Sequence, residues 1–243
     1  MLRYLVNFLY PPRCSGCNQR MPADSTRRVC HRCVASIEPL HEPLCAVCGI
    51  PVGADSPDDE WCRACAASPP HFTRARAITS YRAVDENGEM RPLPSMIRRH
   101  KYGPDQSLSR SIAEYLDGRI PFAGKDYDLI IPVPLHSARL RWRGFNQAAL
   151  LADAVARRLA CPTNFSTLAR VVATIPQTSQ SHGERRLNVR SAFAVRRPQA
   201  VANRRVLLVD DVMTTGATVD ECSRILLRAG ARRVDVFTLA RAL

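Results

Sequence analysis

Val206-Leu207-Leu208-Val209-Asp210-Asp211-Val212-Met213-Thr214-Thr215-Gly216-Ala217-Thr218 is the stretch that decides the fold. Four apolar residues without alternation predict a strand buried on both faces, as in a parallel sheet covered by helices. Two carboxylates follow at its tip, and a Thr-Thr-Gly-Ala-Thr turn opens a helix predicted over residues 219–229, which Gly230 ends. The turn offers backbone N–H groups and three hydroxyls at a helix N-terminus, an anion cradle. Gly216 permits close backbone approach. Two carboxylates beside such a cradle repel a bare polyphosphate but accept hydrogen bonds from a sugar diol. A diol plus a terminal phosphate describes a ribose 5-phosphate. The plainer alternative is a strand that ends in a metal-binding Asp pair.

Outward from this stretch the chain alternates strand and helix. Residues 77–81, 128–133 and 234–239 read as strands, the second ended by Pro132 and Pro134. Residues 95–101, 108–116 and 146–159 read as helices, the last with Leu150, Leu151, Ala154, Val155 and Leu159 on one stripe. This alternation predicts an α/β fold with a parallel sheet and flanking helices, whose ligands sit at the carboxyl ends of strands. Arg139, Arg141 and Arg143 follow such an end. On an extended loop, alternate arginines point the same way and suit a pyrophosphate; a solvated basic loop is the alternative. Asn146 fits a helix N-cap. Arg185 and Arg186 lie in a polar loop that either closes over a site as a lid or stays exposed. Lys101 either reaches a phosphate or is a solvated helix end, and Trp142 either stacks a base or anchors the structure. Cys161 and Cys222 read as small buried hydrophobes.

Eight of the ten cysteines precede residue 66, in four C-x-x-C knuckles: Cys14/Cys17, Cys30/Cys33, Cys45/Cys48 and Cys62/Cys65. Each knuckle aims two thiolates at one ion, and two knuckles close a tetrahedral site, so the segment reads as a double zinc ribbon with two structural Zn²⁺ ions. Cys14/Cys17/Cys30/Cys33 with Cys45/Cys48/Cys62/Cys65 is the simpler pairing; spacing alone leaves a crossed one open. A segment this short builds a poor core, so metal binding supplies folding free energy. His31 and His41 read as solvated, since eight cysteines suffice for two ions. Ser68-Pro69-Pro70 is the expected linker between a double zinc ribbon at 1–68 and a second domain at 71–243.

The 243 residues are 46% hydrophobic and 23% charged, an ordinary globular balance. Residues 1–70 are neutral, and residues 71–243 carry the whole net charge of +13. Of 35 cations all but Lys101 and Lys125 are Arg, whose planar fork suits phosphate oxygens. An anionic partner follows, nucleic acid or a phosphorylated small molecule, although codon bias would also favour Arg. Aromatic residues at 6% are few for a base-stacking surface. No apolar run approaches the ~18 residues of a membrane span, and the apolar stretch 2–10 lacks a cleavage site, so a cytoplasmic protein without membrane insertion is expected.

The opening stretch resembles the 5-phosphoribosyl-1-pyrophosphate (PRPP) motif of type I phosphoribosyltransferases at every position. Pro132-Val133-Pro134-Leu135-His136 through Arg139, Arg141, Arg143-Gly144-Phe145-Asn146-Gln147 resembles a signature of the ComF family, as do Gln177-Thr178 with Arg185, Asn188 and Phe193. The N-terminal cysteine pattern is similar too, so the resemblance covers nearly the whole chain. Gln180-Ser181-His182-Gly183 departs from the family's usual Leu-Ser-Arg-like run, and residues 85–94 form a long insertion. The resemblance implies a type I phosphoribosyltransferase-like sheet that binds PRPP with Mg²⁺. Thr214, Thr215, Gly216, Ala217 and Thr218 would hold the 5-phosphate, Asp210 and Asp211 the ribose hydroxyls, and Arg139, Arg141 and Arg143 the pyrophosphate. It also implies a link to natural transformation, with single-stranded DNA or a DNA-uptake protein as partner. Either a phosphoribosyl transfer to an acceptor or a non-catalytic binding or adaptor role would satisfy it.

Overall fold

A computed structural model describes residues 11–25, 27–53, 60–82, 91–102, 112, 115, 116, 118–172 and 190–243, the side chains of 100–102 excepted. The strands among them are β1 (Arg74–Ser80), β2 (Leu129–Pro132), β3 (Leu168–Arg170), β4 (Phe193–Val195), β5 (Arg205–Met213) and β6 (Arg233–Arg241). The α-helices are α1 (His31–Ala35), α2 (Arg63–Ala67), α3 (Pro92–Tyr102), α4 (Ser137–Arg143), α5 (Gln147–Leu159) and α6 (Ala217–Arg228). Four strands form one sheet in the order β1-β6-β5-β2, every neighbouring pair parallel. β3 and β4 make a separate antiparallel pair.

Val206, Leu207, Leu208 and Val209 are all fully buried. Val206 and Leu208 pack with Val219, Cys222 and Leu226 of α6. Leu207 and Val209 pack with Leu151 and Val155 of α5. Helices thus cover both faces, which is why this strand reads as an unbroken apolar run. Burying each such Leu or Val stabilises the fold by ~1.5–3 kcal/mol. Asn146 caps α5, its side-chain oxygen accepting from the Ala148 N–H at 3.1 Å. Cys161 and Cys222 are both buried.

Several boundaries differ from the expectation. β1 begins at Arg74 rather than 77, because pairing with β6 extends over Arg74 and Arg76, whose polarity hides the strand. α3 begins at Pro92, where a proline's missing N–H costs nothing. Of the helix expected over 108–116, residues 112 and 115 are helical and most others lie outside the described residues.

Both ribbons pack on the sheet rather than standing apart. Met21, Val29 and Ile37 share one apolar core with Ile78, Leu93 and Met96. Val47 and Val52 share another with Phe72 and Ala75. The Ala75 N–H donates to the Val47 carbonyl at 2.6 Å, and Arg76 Nη1 donates to the Cys45, Ala46 and Ala75 carbonyls.

Candidate functional site

A missing strand neighbour creates the site. β2 ends at Pro132, opposite Val209, while the β5–β6 ladder runs on to Met213 opposite Arg241. Among the described residues no strand pairs with 210–213 on the side where β2 ends, and a cleft of about 310 Å³ opens there. Asp210 and Asp211 are not at the strand tip, as expected from sequence, but inside its last turn of pleat, where β2 has already left. Strand alternation sends them to opposite faces. Asp210 continues the α6-facing set, near Arg170, while Asp211 continues the α5-facing set beside Leu150 and Leu151. Both line the cleft. Each accepts a backbone N–H: Asp211 N–H to Asp210 Oδ1 and Val212 N–H to Asp211 Oδ1, both at 2.9 Å.

The arginines are arranged differently from the extended loop expected. Residues 137–143 form α4, capped at its start by His136 Nδ1, which accepts from the Ala138 N–H, and closed by Gly144 at φ +82°. On a helix, positions four apart share a face and positions two apart do not. Arg139 and Arg143 line the cleft; Arg141 is exposed and stands outside its lining. Arg143 Nη1 donates to Gln147 Oε1 at 2.7 Å, and Asn146 Nδ2 donates to the Val133 carbonyl at 3.0 Å. These bonds fasten the segment after β2 to the start of α5.

Arg170 is a cleft residue that sequence reasoning missed. It ends β3 and lies over the Phe193 ring at 5.3 Å. Burial, with Arg139 nearby, lowers its pKa. Its only sequence signal is an Arg inside an apolar run, and nothing local assigns that run to this cleft. Among the described residues, three guanidinium groups thus face two carboxylates.

The turn after β5 divides its residues. Thr214 and Thr218 line the cleft. Thr215, Gly216 and Ala217 line a smaller crevice of about 90 Å³ between the turn and the second ribbon, with Cys48, Cys62 and Cys65 on its far side. Gly216, the N-cap of α6, has φ +81°, a conformation that favours glycine. His71 bonds Asp220 in the first turn of α6 from the ribbon side, by its N–H at 2.6 Å and its Nδ1 at 3.0 Å. Arg185 and the family-like Gln177, Thr178 and Asn188 lie outside the described residues. Lys101 is in the last turn of α3, and its side chain is not described. Trp142 is 70% exposed, which rules out a buried anchor.

The eight N-terminal thiols gather in sequential pairs of knuckles, Cys14/Cys17/Cys30/Cys33 and Cys45/Cys48/Cys62/Cys65, with the sulfurs of each set within 4.8 Å of one another. Three of the sulfur–sulfur separations are 3.7 Å (Cys14–Cys33), 3.8 Å (Cys17–Cys30) and 3.6 Å (Cys48–Cys62). Tetrahedral Zn–S bonds of ~2.3 Å give an edge of ~3.8 Å, which these three separations match. Burial would raise the Cys14 thiol, but the N–H groups of Cys30, Cys17 and Gly16 outweigh it and bring it down to about 7. Cys45 is lowered to about 7 against burial by the N–H groups of Cys62, Cys48 and Val47. Cys33 and Cys65 are pushed up, by burial first and then by neighbouring thiols. Four crowded thiols resist ionising together, and a dication removes that resistance.

The chain matches the double zinc ribbon domain over residues 5–66 and the phosphoribosyl transferase domain over residues 146–243. It is 33% identical over 230 residues to the DNA utilization protein YhgH of Salmonella typhi, covering 92% of this chain and 95% of that protein. It is 31% identical over 248 residues to Competence protein F of Haemophilus influenzae, covering 98% of this chain and all of that protein. Among solved structures, glutamine PRPP amidotransferase from B. subtilis, complexed with ADP and GMP, is 18% identical with a TM-score of 0.35. That match covers 64% of this chain and 29% of the other. Among the described residues no helix is long and apolar enough to cross a membrane.

Proposed function

This chain belongs to the ComF family of competence and DNA-utilization proteins, and from that premise we propose that its cleft binds PRPP with Mg²⁺ and transfers the phosphoribosyl group to an acceptor during DNA uptake. One observation carries the reading: β2 stops opposite Val209, so two carboxylates, Thr214 and Thr218 of the turn after β5 and three arginines share one cleft. We assign the 5-phosphate to the 214–218 turn, the ribose hydroxyls to Asp210 and Asp211, and the pyrophosphate to Arg139, Arg143 and Arg170. Asp210 and Asp211 are hard oxygen donors of the kind Mg²⁺ takes, and no third carboxylate, His or Cys clusters with them among the described residues. Ligand oxygens and water would complete such a shell, as Mg²⁺ prefers. When bound, Mg²⁺ supplies charge neutralisation of the leaving pyrophosphate.

In the transfer, the C1–oxygen bond to pyrophosphate breaks with its electron pair on the pyrophosphate, and a bond from C1 to the acceptor forms. The three guanidinium groups stabilise the departing anion, and the carboxylates stabilise the positive charge that develops on the ribose. We place the boundary between the two units at residues 1–68 and 71–243. Calorimetric titration with PRPP and Mg²⁺ tests the reading. Saturable, Mg²⁺-dependent binding is expected; no heat at millimolar PRPP refutes it.

A second reading, single-stranded DNA binding beside the cleft, is favoured by the outer side of α4, where Leu140, Arg141 and Trp142 are exposed. An exposed aromatic ring stacks a base, and the neighbouring Arg141 guanidinium takes a phosphate. Binding that falls steeply with salt and weakens in Trp142→Ala, while PRPP affinity holds, supports it. DNA affinity unchanged in that variant refutes it.

A further inference from the structure

Arg241, the last residue of β6, is buried, and its side-chain bonds go to backbone carbonyls rather than to a carboxylate. Its Nη1 donates to the carbonyls of Met213 and Ala242, each at 3.1 Å, and to that of Thr214. Its Nε is buried with no hydrogen-bond partner. Burying a cation away from any counter-charge is costly, and three carbonyls on one nitrogen with an orphaned Nε do not explain it as a stabilising device. What distinguishes the location is its neighbour: Arg241 lies directly behind the turn at 214–218.

Peptide planarity gives the arrangement a consequence. In a trans peptide the C=O and the following N–H point in opposite directions. The Met213 carbonyl accepts both Arg241 Nη1 and the Ala242 N–H, at 3.1 and 2.9 Å, so it faces β6. The Thr214 N–H therefore faces the side that β2 has vacated, where the cleft lies. The Thr214 carbonyl is also held by Arg241, so the Thr215 N–H turns away from the guanidinium as well.

Resting on the phosphoribosyl reading of the cleft, we propose that Arg241 is a positioning residue for the ligand's 5-phosphate. It fixes the peptide between Met213 and Thr214 from behind so that the Thr214 N–H faces the phosphate, and it places a positive charge behind that anion site. Arg241 touches no ligand itself and acts through the turn.

The test compares two probes on the full-length zinc-loaded chain: ribose 5-phosphate, which needs the turn, and pyrophosphate, which needs Arg139, Arg143 and Arg170. Arg241→Met is expected to weaken ribose 5-phosphate by about 10- to 100-fold, the scale of one charge-assisted interaction at ~1.4 kcal/mol per tenfold. Pyrophosphate affinity is expected to stay within threefold. Arg241→Lys keeps the charge but not the fork, so it is expected to fall between Met and wild type. If the Met variant fails to fold, the Lys variant decides by the same ratio. Equal losses for both probes, or ribose 5-phosphate binding within twofold of wild type, overturn the proposal. Wild-type protein that binds neither probe overturns the phosphoribosyl reading itself, and this inference with it.

Discussion

Replacing both Asp210 and Asp211 by Asn separates two properties of the cleft that bind different halves of one ligand. Asn keeps an oxygen where each carboxylate accepts its neighbour's N–H at 2.9 Å, so the strand end keeps its local bonds. What changes is charge. Among the described residues, three guanidinium groups facing two carboxylates become three facing none. Losing a charged acceptor to a sugar hydroxyl costs about 1.5–3 kcal/mol, so the thermal stabilisation by PRPP with Mg²⁺ should shrink toward zero. Free pyrophosphate meets the opposite effect, because each removed carboxylate no longer repels it. At ~10 Å and an effective dielectric constant of ~20–80 that repulsion is about 0.4–1.7 kcal/mol for each unit of pyrophosphate charge. Pyrophosphate without Mg²⁺ should therefore bind at least about twofold more tightly per carboxylate, and the gain should fade with salt. Calorimetric titration at two ionic strengths reads both effects, with circular dichroism as the check on folding. A folded double variant that stabilises with PRPP like wild type refutes the assignment of the diol. One that loses pyrophosphate affinity refutes the electrostatic reasoning.

Three other perturbations have definite outcomes. Metal analysis should give two zinc ions per chain, and chelation should lower the melting temperature of the sheet as well as the ribbons, because Val47 and Val52 share a core with Phe72 and Ala75; zinc-free protein that melts like wild type refutes this. Gly49→Ala puts a Cβ 2.6 Å from the Ala75 carbonyl at φ +69°, whereas Gly53→Ala meets nothing within 4 Å among the described residues. The first should lose at least ~1–2 kcal/mol, about 2–8 °C in Tm, and the second almost nothing; equal Tm values contradict it. Bonds from the Arg205 side chain and N–H hold the Asp128 carboxyl down at about 2, so this pair's contribution is present above the unfolded value near ~4 and lost as pH falls toward 2. Asp128→Asn should flatten the fall of Tm between pH 4 and 2, and an unchanged slope would count against the pair.

Local spacing was enough for whatever a few consecutive residues decide by themselves. Four C-x-x-C knuckles announce two metal sites because a tight turn alone sets the distance between two thiolates. The run 206–218 announces a buried strand, an acid pair and a turn into a helix because burial, strand period and capping all act within a few residues. Asn146 as the cap of α5 belongs to the same class.

The arginines mark where this ends. Spacing at 139, 141 and 143 fits an extended loop or a helix equally well, and only the packing of α4 against the cleft selects Arg139 and Arg143 and turns Arg141 outward. Arg170 and Arg241 sit in apolar strands like any polar interruption. Their roles come from strands about 40 and 28 residues away in sequence, at Asp210 and Met213. The site itself exists because β2 is shorter than its neighbour β5, a matter of pairing between distant segments. The amino-acid sequence determined which groups are present and what each local turn can hold. Tertiary structure decided which of them meet, because strand register and helix facing are fixed by contacts that local periodicity does not encode.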